Sequence, residues 1–227
     1  MITTSFLNVF GGMALALMLN HPGLRERNLY RTLLVIPWAL PFILMVQVWA
    51  GLYNNRGPIN LILENVGLEP VRWLTETRTS WPPRLALLIM NLWLSYPFFM
   101  TVSLAALQAI PRELYEVAEL DGAGPWQRFK TITFPYMLAA ITPLLITQLA
   151  MQFTNAGPII LLTNGNPIAF QGASYGVTDT LSSYSYKLIH DLRQYGLSAA
   201  YGIIIFVVVA TFTIVNSFTT RAFKEEE

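Results

Sequence analysis

The sequence predicts an all-α integral membrane protein with five transmembrane helices. Of the 227 residues, 54% are hydrophobic and only 12% are charged, and the mean hydropathy is +0.46. This composition is too apolar for an ordinary soluble domain. Five uncharged runs are each long enough to cross roughly 30 Å of hydrocarbon, which takes about 20 helical residues. Because backbone polar groups in a bilayer must be satisfied within the segment, helices are the expected form.

Five spans place the two termini on opposite sides of the membrane. The predicted spans are Ile2 to Asn20, Leu33 to Tyr53, Leu85 to Leu107, Phe134 to Asn155 and Leu197 to Phe218. Eight of the 14 Lys and Arg residues lie on the side that holds the loop 21–31, the segment 111–130 and the C-terminal tail. The positive-inside preference therefore places this side, with the C-terminus, in the cytoplasm. We expect residues 1–227 to form a single transmembrane domain.

Two prolines interrupt the second predicted span. Pro37 and Pro41 each lack a backbone donor and crowd the preceding turn, so this span is expected to bend. Neighbouring helices or a cavity would have to satisfy the freed carbonyls. The pattern is compatible with a simple packing kink and with a break that lines a cavity.

The segments on the other side of the membrane contain tryptophans, a polar loop and one short helix. Trp73 and Trp81 are typical of the headgroup interface, although a ligand site is the alternative. Residues 156–174 are rich in Gly, Asn and Pro and predict a loop. The spacing of Leu181, Tyr184, Leu188 and Leu192 then predicts an amphipathic helix that is too polar to span, with Thr178 or Asp179 as its cap.

Several function classes are disfavoured by residues that the chain lacks. There is no Cys, and the two His residues, His21 and His190, lie far apart, so neither a thiolate site nor a histidine metal site is expected. The five predicted spans contain no Asp, Glu, Lys, Arg or His, which an ion-coupled carrier or an intramembrane protease needs. The chain also lacks a G-x-x-x-x-G-K-[ST] phosphate loop, so we predict that it catalyses no reaction and binds no cofactor itself.

Uncharged polar residues follow helical spacing on two of the spans. Gln148, Gln152 and Asn155 fall on one face of the fourth span, and the third span carries Asn91, Ser95 and Phe98 at similar spacing. Amides beside aromatic rings suit a neutral polyhydroxylated solute, whereas an anion would require Arg or Lys. The alternative is that these side chains hydrogen-bond between helices of the bundle.

One long charged segment, Pro111 to Pro135, separates the third and fourth spans. We call it the charged segment. It reads as two short helices, with Pro111 and Pro125 at first helical positions and Asp121 to Gly124 as the break. Trp126 and Phe129 on the second helix offer aromatic surface to a partner.

The spacing within the charged segment resembles the EAA loop of importer-type ABC permeases. That motif reads E-A-A, three residues, G, nine residues and I-x-L-P, and here Glu116, Ala118, Gly122, Ile132 and Pro135 match it. Val117 stands where Ala is usual and Phe134 where Leu is usual, and both keep the position apolar. The resemblance implies that the loop binds a cytoplasmic ATPase through Glu116, Val117, Ala118, Asp121, Gly122, Trp126 and Phe129.

Almost the whole chain is similar to the sugar-importer permeases of the maltose type. The similar pieces are YRTLLVIPWALP, GPIN, NLWLSYPF, LQAIPRELYEVAELDGA, LLTNGNP, TDTLSSYSYKL and YGLSAAYGIIIF. The resemblance implies a prokaryotic inner-membrane subunit that pairs with a second, similar permease, with two ATPase copies that bind ATP and Mg, and with an extracytoplasmic sugar-binding protein. It also implies a sugar pocket lined by Asn91, Leu94, Ser95, Phe98, Gln148, Gln152 and Asn155.

Three departures from the family pattern qualify this expectation. Ser95 occupies a position often held by Gly, and Phe98 one often held by Tyr, so the sugar can differ from maltose. Relatives usually carry a further span before the first one here, which leaves open either a shortened start or a natural five-span core.

The expected function is ATP-driven import of a neutral sugar by alternating access. Maltose, maltodextrin, trehalose and related α-glucosides all fit an uncharged cavity of amides and aromatic rings. The alternatives are a permease for a different neutral solute and a non-transporting membrane scaffold that recruits a soluble partner. A secondary sugar carrier is disfavoured because the spans lack ionisable groups.

Overall fold

The computed structural model describes residues 2–21, 23–77 and 79–219, and the secondary structure of these residues is helical apart from one isolated bridge between Ile168 and Gly176. The helices are α1 (Ile2–Leu19), α2 (Arg27–Ala39), α3 (Phe42–Leu52), α4 (Pro58–Asn65), α5 (Trp81–Ala109), α6 (Arg112–Leu120), α7 (Pro125–Arg128), α8 (Phe134–Thr154), α9 (Gly157–Leu162), α10 (Leu181–His190) and α11 (Tyr195–Thr219), with a π-helical turn (Phe129–Thr133) between α7 and α8. The all-α class is confirmed. The prediction for the C-terminal tail concerns residues 220–227, which lie outside the described residues.

The predicted count of five spans is not confirmed. Within the described residues, three helices are long and apolar enough to cross a membrane: Trp81–Ala109, Pro125–Thr154 and Tyr195–Ile214. A fourth span exists if the bent pair of α2 and α3 counts as one. The first predicted span corresponds to a shorter apolar helix, Thr3–Leu19, which is not among these three. The helix boundaries otherwise follow the apolar runs closely.

The described chain groups into two compact units, and each is considered by itself. The first unit comprises residues 2–39 and 93–149. Its core consists of buried apolar side chains from α1, α5, the residue after α5 and α8, namely Val9, Met13, Ala16, Leu19, Phe99, Met100, Leu104, Leu107, Ile110, Met137 and Ile141. The members from α1 recur every three or four residues, which places them on one face of that helix.

Gly12 allows α1 to approach the backbone of α5. A Cβ atom added to Gly12 would lie 2.6 Å from the Met100 nitrogen and 2.7 Å from the Phe99 Cβ. No side chain fits there unless one of the two helices moves. Small residues at such crossings are the usual way in which membrane helices pack closely.

The second predicted span is broken at its prolines, as expected. Pro37 lies inside α2, and Pro41 is the residue that precedes α3. Pro37 leaves the Leu33 carbonyl without its helical donor. At the neighbouring carbonyl, that of Leu34, the hydroxyl of Tyr96 on α5 donates a hydrogen bond of 3.0 Å. A second helix of the same unit therefore supplies a donor where the proline disturbs the ladder.

The second unit comprises residues 40–92 and 150–219, and a buried asparagine organises the loop between α3 and α5. Asn60, which is 1% exposed, donates from Nδ2 to the carbonyls of Asn55 and Val71 at 3.1 and 2.9 Å. Its Oδ1 accepts from the Val71 N–H at 3.0 Å and from the Trp73 Nε1 at 3.1 Å. The Trp73 indole is thus part of a folded loop, whereas Trp81 is 75% exposed.

The polar segment after α8 differs from its prediction in two respects. Residues 157–162 form the short helix α9, which packs against α3, before the loop begins. The predicted amphipathic helix is present as α10, but its cap is Thr180 and not Thr178 or Asp179. Thr180 and Ser183 form a reciprocal capping box. α10 then packs along α11 in the same unit.

Candidate functional site

The charged segment forms a helix, a tight turn and a second helix. α6 starts at Arg112, so Pro111 is the residue before the helix and not its first residue, while Pro125 does open α7. Glu113 lies in the first turn of α6, where a negative charge is favourable next to the positive end of the helix dipole. Two short helices were predicted here, and both exist.

Gly122 closes α6 in a Schellman motif. Its φ of +77° lies in the left-handed region, which side chains other than glycine rarely adopt. The Gly122 N–H donates to the Glu119 carbonyl at 3.0 Å, and the Ala123 N–H donates to the Ala118 carbonyl at 2.9 Å. This pair of bonds satisfies carbonyls that the end of the helix would otherwise leave open.

The second helix of the charged segment continues directly into the span α8. α7, the π-helical turn Phe129–Thr133 and α8 follow one another without a break, and together they form one helix of 30 residues, Pro125–Thr154. Local π-helical geometry is rare in proteins, but where it occurs it often lies at a functional site. Pro125 therefore lies on the same continuous helix as the apolar segment that is long enough to cross a membrane.

Two side-chain contacts join α6 to the helix that follows it. The hydroxyls of Tyr115 and Thr133 lie 2.9 Å apart, and the Arg128 guanidinium donates to the Glu119 carboxylate at 3.0 Å. The Glu119 side chain is 72% exposed and that of Arg128 is 25% exposed, so solvent screens the ion pair and we assign it at most about 1 kcal/mol. Together with the Schellman turn, these contacts hold the two helices in one arrangement.

The charged segment exposes several large apolar side chains among its charges. Leu120 is 88% exposed and Trp126 is 74% exposed, and Val117 and Glu116 are exposed beside them. The Trp126 and Phe129 rings stack at a centroid distance of 5.5 Å. Of the other predicted coupling residues, Asp121 and Gly122 are exposed, whereas Ala118 and Phe129 are half-buried.

Leu120 is the residue of this surface that the sequence motif does not indicate. It lies three positions after Val117 and four after Glu116, so the helical repeat places it on the same face. This helical spacing is the sequence signal that could have identified Leu120.

The predicted polar residues of the spans are divided between the two units. Leu94, Ser95, Phe98 and Gln148 belong to the unit of residues 2–39 and 93–149, and all four are half-buried. In that unit the Phe98 ring packs on Trp38 at 6.1 Å and on Phe99 at 5.3 Å. The Phe98 ring is therefore held by aromatic neighbours.

Asn91, Gln152 and Asn155 belong to the other unit, where they differ in exposure. Asn91 is half-buried and Gln152 is buried, whereas Asn155 is exposed. The Asn155 Oδ1 accepts a hydrogen bond of 3.0 Å from the Gly157 N–H. Asn155 thus supports the start of α9 with its carbonyl oxygen and keeps its amide nitrogen for another partner.

A buried ion pair, which sequence patterns did not indicate, anchors the loop between α9 and α10. The Lys187 ammonium donates to the Asp179 carboxylate at 2.8 Å, and the two side chains are only 14% and 4% exposed. Asp179 also accepts from the Gly176 N–H at 2.8 Å and from the Ser183 hydroxyl at 3.0 Å. Charge, backbone and hydroxyl donors together satisfy this carboxylate, as a buried charge requires.

Known proteins resemble this chain along its length. Residues 8–224 match the family described as "Binding-protein-dependent transport system inner membrane component". The chain is 38% identical to the galactooligosaccharides transport system permease protein GanP of Bacillus subtilis, over 99% of this chain and 53% of GanP. It is also 38% identical to the maltose/maltodextrin transport system permease protein MalF of Escherichia coli K12, over 97% of this chain and 43% of MalF. The chain spans about half the length of these relatives.

The fold is similar to that of solved transporters. A bacterial ABC transporter involved in the import of the acidic polysaccharide alginate superposes with a TM-score of 0.75 and 27% identity, over 98% of this chain and 77% of that one. The MetNI methionine ABC transporter superposes with a TM-score of 0.59 at 18% identity, which is a likeness of fold alone. On the family match and the identity to its relatives, this chain belongs to the inner-membrane permease components of binding-protein-dependent transport systems.

Proposed function

We propose that this chain is the membrane-spanning subunit of an ATP-driven importer that carries a neutral sugar across the membrane by alternating access. The observation that carries the proposal is the charged segment. It presents an uncovered apolar surface, including Leu120 and Trp126, on a helix pair that continues into a membrane-crossing helix. Large exposed apolar residues amid charges mark a protein-binding surface.

The partners follow from the family. They are a second, similar permease subunit, two cytoplasmic ATPase subunits that hold ATP and Mg, and an extracytoplasmic binding protein that delivers the sugar. The subunit is located in the inner membrane of a prokaryote, with the charged segment and the C-terminus in the cytoplasm. This chain contributes no catalytic group, because ATP hydrolysis takes place on the partner ATPases.

The charged segment is the EAA loop of this subunit and couples it to the ATPases. Glu116, Val117, Leu120 and Trp126 form the contact surface, and Gly122 sets the angle between the two helices. Because Pro125–Thr154 is one helix, closure of the ATPases would move α8 as a lever. Such coupling is reciprocal, so the delivered sugar must in turn affect the ATPase.

The substrate is a neutral sugar that uncharged amides and aromatic rings bind. Asn91, Leu94, Ser95, Phe98, Gln148, Gln152 and Asn155 are the residues that we assign to it. Relatives named for galactooligosaccharides and for maltose/maltodextrin are equally identical to this chain, so we place galactooligosaccharides beside maltose, maltodextrin, trehalose and other α-glucosides. The alginate importer handles an acidic polymer, for which the predicted spans here offer no cation.

The coupling surface can be tested with a matched pair of tryptophans. Trp126 in the charged segment and Trp81 at the start of α5 are 74% and 75% exposed, so replacing either by Ala has little effect on folding. Burying a large apolar side chain against a partner contributes about 1.5–3 kcal/mol. We therefore expect Trp126→Ala to weaken binding of the purified ATPase roughly 10- to 100-fold, and Trp81→Ala to leave it unchanged. Microscale thermophoresis in detergent measures both affinities.

The two alternatives predict different outcomes. Equal ATPase affinities of the two tryptophan variants would show that the charged segment is not part of the coupling interface. A non-transporting scaffold would keep the ATPase contact, and Gln152→Leu would then leave any sugar transport by the complex unchanged. Gln152 is a cleaner choice than Asn155, because Asn155 also holds the Gly157 N–H. A permease for a different neutral solute would respond to that solute and to no sugar.

A further inference from the structure

We propose that a row of four aromatic rings after α8 forms a binding path for a linear oligosaccharide, which places several sugar units outside the membrane pocket. The rings are those of Phe170, Tyr175, Tyr184 and Tyr201. Successive centroids are 5.9, 6.3 and 5.5 Å apart, and each ring meets the next edge to face at 74–85°. All four residues lie in the unit of residues 40–92 and 150–219.

The row leads from an exposed loop to a membrane-crossing helix. Phe170 is 61% exposed and Tyr175 is also exposed, whereas Tyr184 on α10 and Tyr201 on α11 are half-buried. Tyr201 is the seventh residue of α11, which places it about 9 Å along the helix axis from the first. The rings are therefore graded from open to enclosed, as a path into a site requires.

The chemistry of the row favours a neutral saccharide. Aromatic rings stack on the apolar face of a pyranose, and tyrosine adds a hydroxyl that exchanges hydrogen bonds with sugar hydroxyls. The Tyr184 hydroxyl is already oriented by the Ser174 hydroxyl at 2.8 Å, and the exposed amide of Gln171 lies in the same loop. The relatives named above carry galactooligosaccharides, maltodextrin and alginate in their names, all of which are chains of sugars.

The loop that carries the two exposed rings is held in place before any ligand binds. Gly176 and Lys187 donate to the buried Asp179, and the hydroxyls of Thr163 and Thr178 lie 2.8 Å apart. Little conformational entropy is then lost when a sugar binds, and pre-organisation of this kind increases affinity.

This inference rests on the proposed function, and the test separates the two. The complex, with its ATPases and binding protein, is reconstituted in lipid nanodiscs. ATP hydrolysis is then measured against maltose and maltopentaose, and against galactobiose and galactopentaose. If neither series stimulates hydrolysis, the proposed function fails, and the oligosaccharide path fails with it.

For the sugar series that stimulates ATP hydrolysis, we expect Phe170→Ala and Tyr175→Ala each to raise the half-saturating concentration of the pentasaccharide by roughly three- to tenfold. This factor corresponds to the free energy of one lost ring contact. The disaccharide response should stay unchanged, and Tyr175→Phe, which keeps the ring and loses only the hydroxyl, should lose less than Tyr175→Ala. Ile168→Ala is the matched control, because Ile168 is 59% exposed on the same loop but outside the row. Equal losses for disaccharide and pentasaccharide, or no loss for either, would overturn the inference.

Discussion

Replacing Gly122 tests the turn of the charged segment most directly. Gly122 has a φ of +77°, and an added Cβ would find no atom within 4 Å. The penalty for Ala is therefore conformational and not steric. For an L-residue the left-handed region costs roughly 1–2 kcal/mol, which is a factor of about 5–30 in the ratio of formed to unformed turn.

Gly124 provides the matched control in the same turn. It is also free of neighbours within 4 Å, but its φ is −67° with ψ at 166°, a conformation that any residue adopts. Gly124→Ala should therefore behave like the parent chain. Gly122→Asn should fall between the parent and Gly122→Ala, because Asn tolerates the left-handed region better than Ala.

The assay is the affinity of the purified permease for its ATPase, followed by sugar-stimulated ATP hydrolysis in the reconstituted complex. We expect Gly122→Ala to lower the affinity by about 5- to 30-fold, with a parallel loss of stimulation, and Gly124→Ala to lower neither. Equal behaviour of the two Ala variants would refute the assigned role of the Gly122 turn. Circular dichroism checks that both variants keep their helices.

Three further predictions concern the packing that supports the site, and thermal unfolding of the complex in detergent measures all of them. Gly12→Ala should destabilise the chain, since its Cβ would lie 2.6 Å from a backbone nitrogen, whereas Gly51→Ala, with no atom within 4 Å, should not; equal melting temperatures would contradict this. Asn60→Leu should cost about 2–5 kcal/mol, because it orphans several buried groups of the loop. Lys187→Met should cost about 3–5 kcal/mol by leaving a buried carboxylate without its countercharge, and Asp179→Asn in the Lys187→Met background should recover part of that loss.

The features that the sequence predicts well are those with a local cause. The apolar runs became helices because a long run without charges has few other stable forms in a bilayer. The break at Pro37 and Pro41 follows from a missing donor within the same few residues. The turn at Gly122 and the amphipathic helix α10 are likewise local patterns.

The features that the sequence does not predict depend on partners far along the chain. Asn60 looks like any loop residue until Val71 and Trp73 are placed around it. Asp179 is a residue type that often caps helices. In the structure it forms a buried ion pair with Lys187, and Thr180 caps the helix. The aromatic row joins residues from a loop and two helices, so no single periodicity reveals it.

The predicted sugar-binding residues and coupling residues stay predictions, and so does the single transmembrane domain. The number of spans depends on the length of each apolar helix as well as on its position in the sequence. α1 has 18 residues, close to the minimum that crosses a bilayer of roughly 30 Å, and the second run is split in two. Here the apolar runs locate the helices but do not fix how many of them cross.

The most direct test of the proposed function is sugar uptake into proteoliposomes that contain this chain, its partner permease and its ATPases, with the binding protein outside and ATP inside. We predict that a neutral α-glucoside or galactooligosaccharide accumulates only when ATP and the binding protein are both present, and that Glu116→Lys abolishes accumulation. Uptake that runs on an ion gradient without ATP, or that persists in the Glu116→Lys variant, would contradict the assignment of this chain as an ATPase-coupled sugar permease.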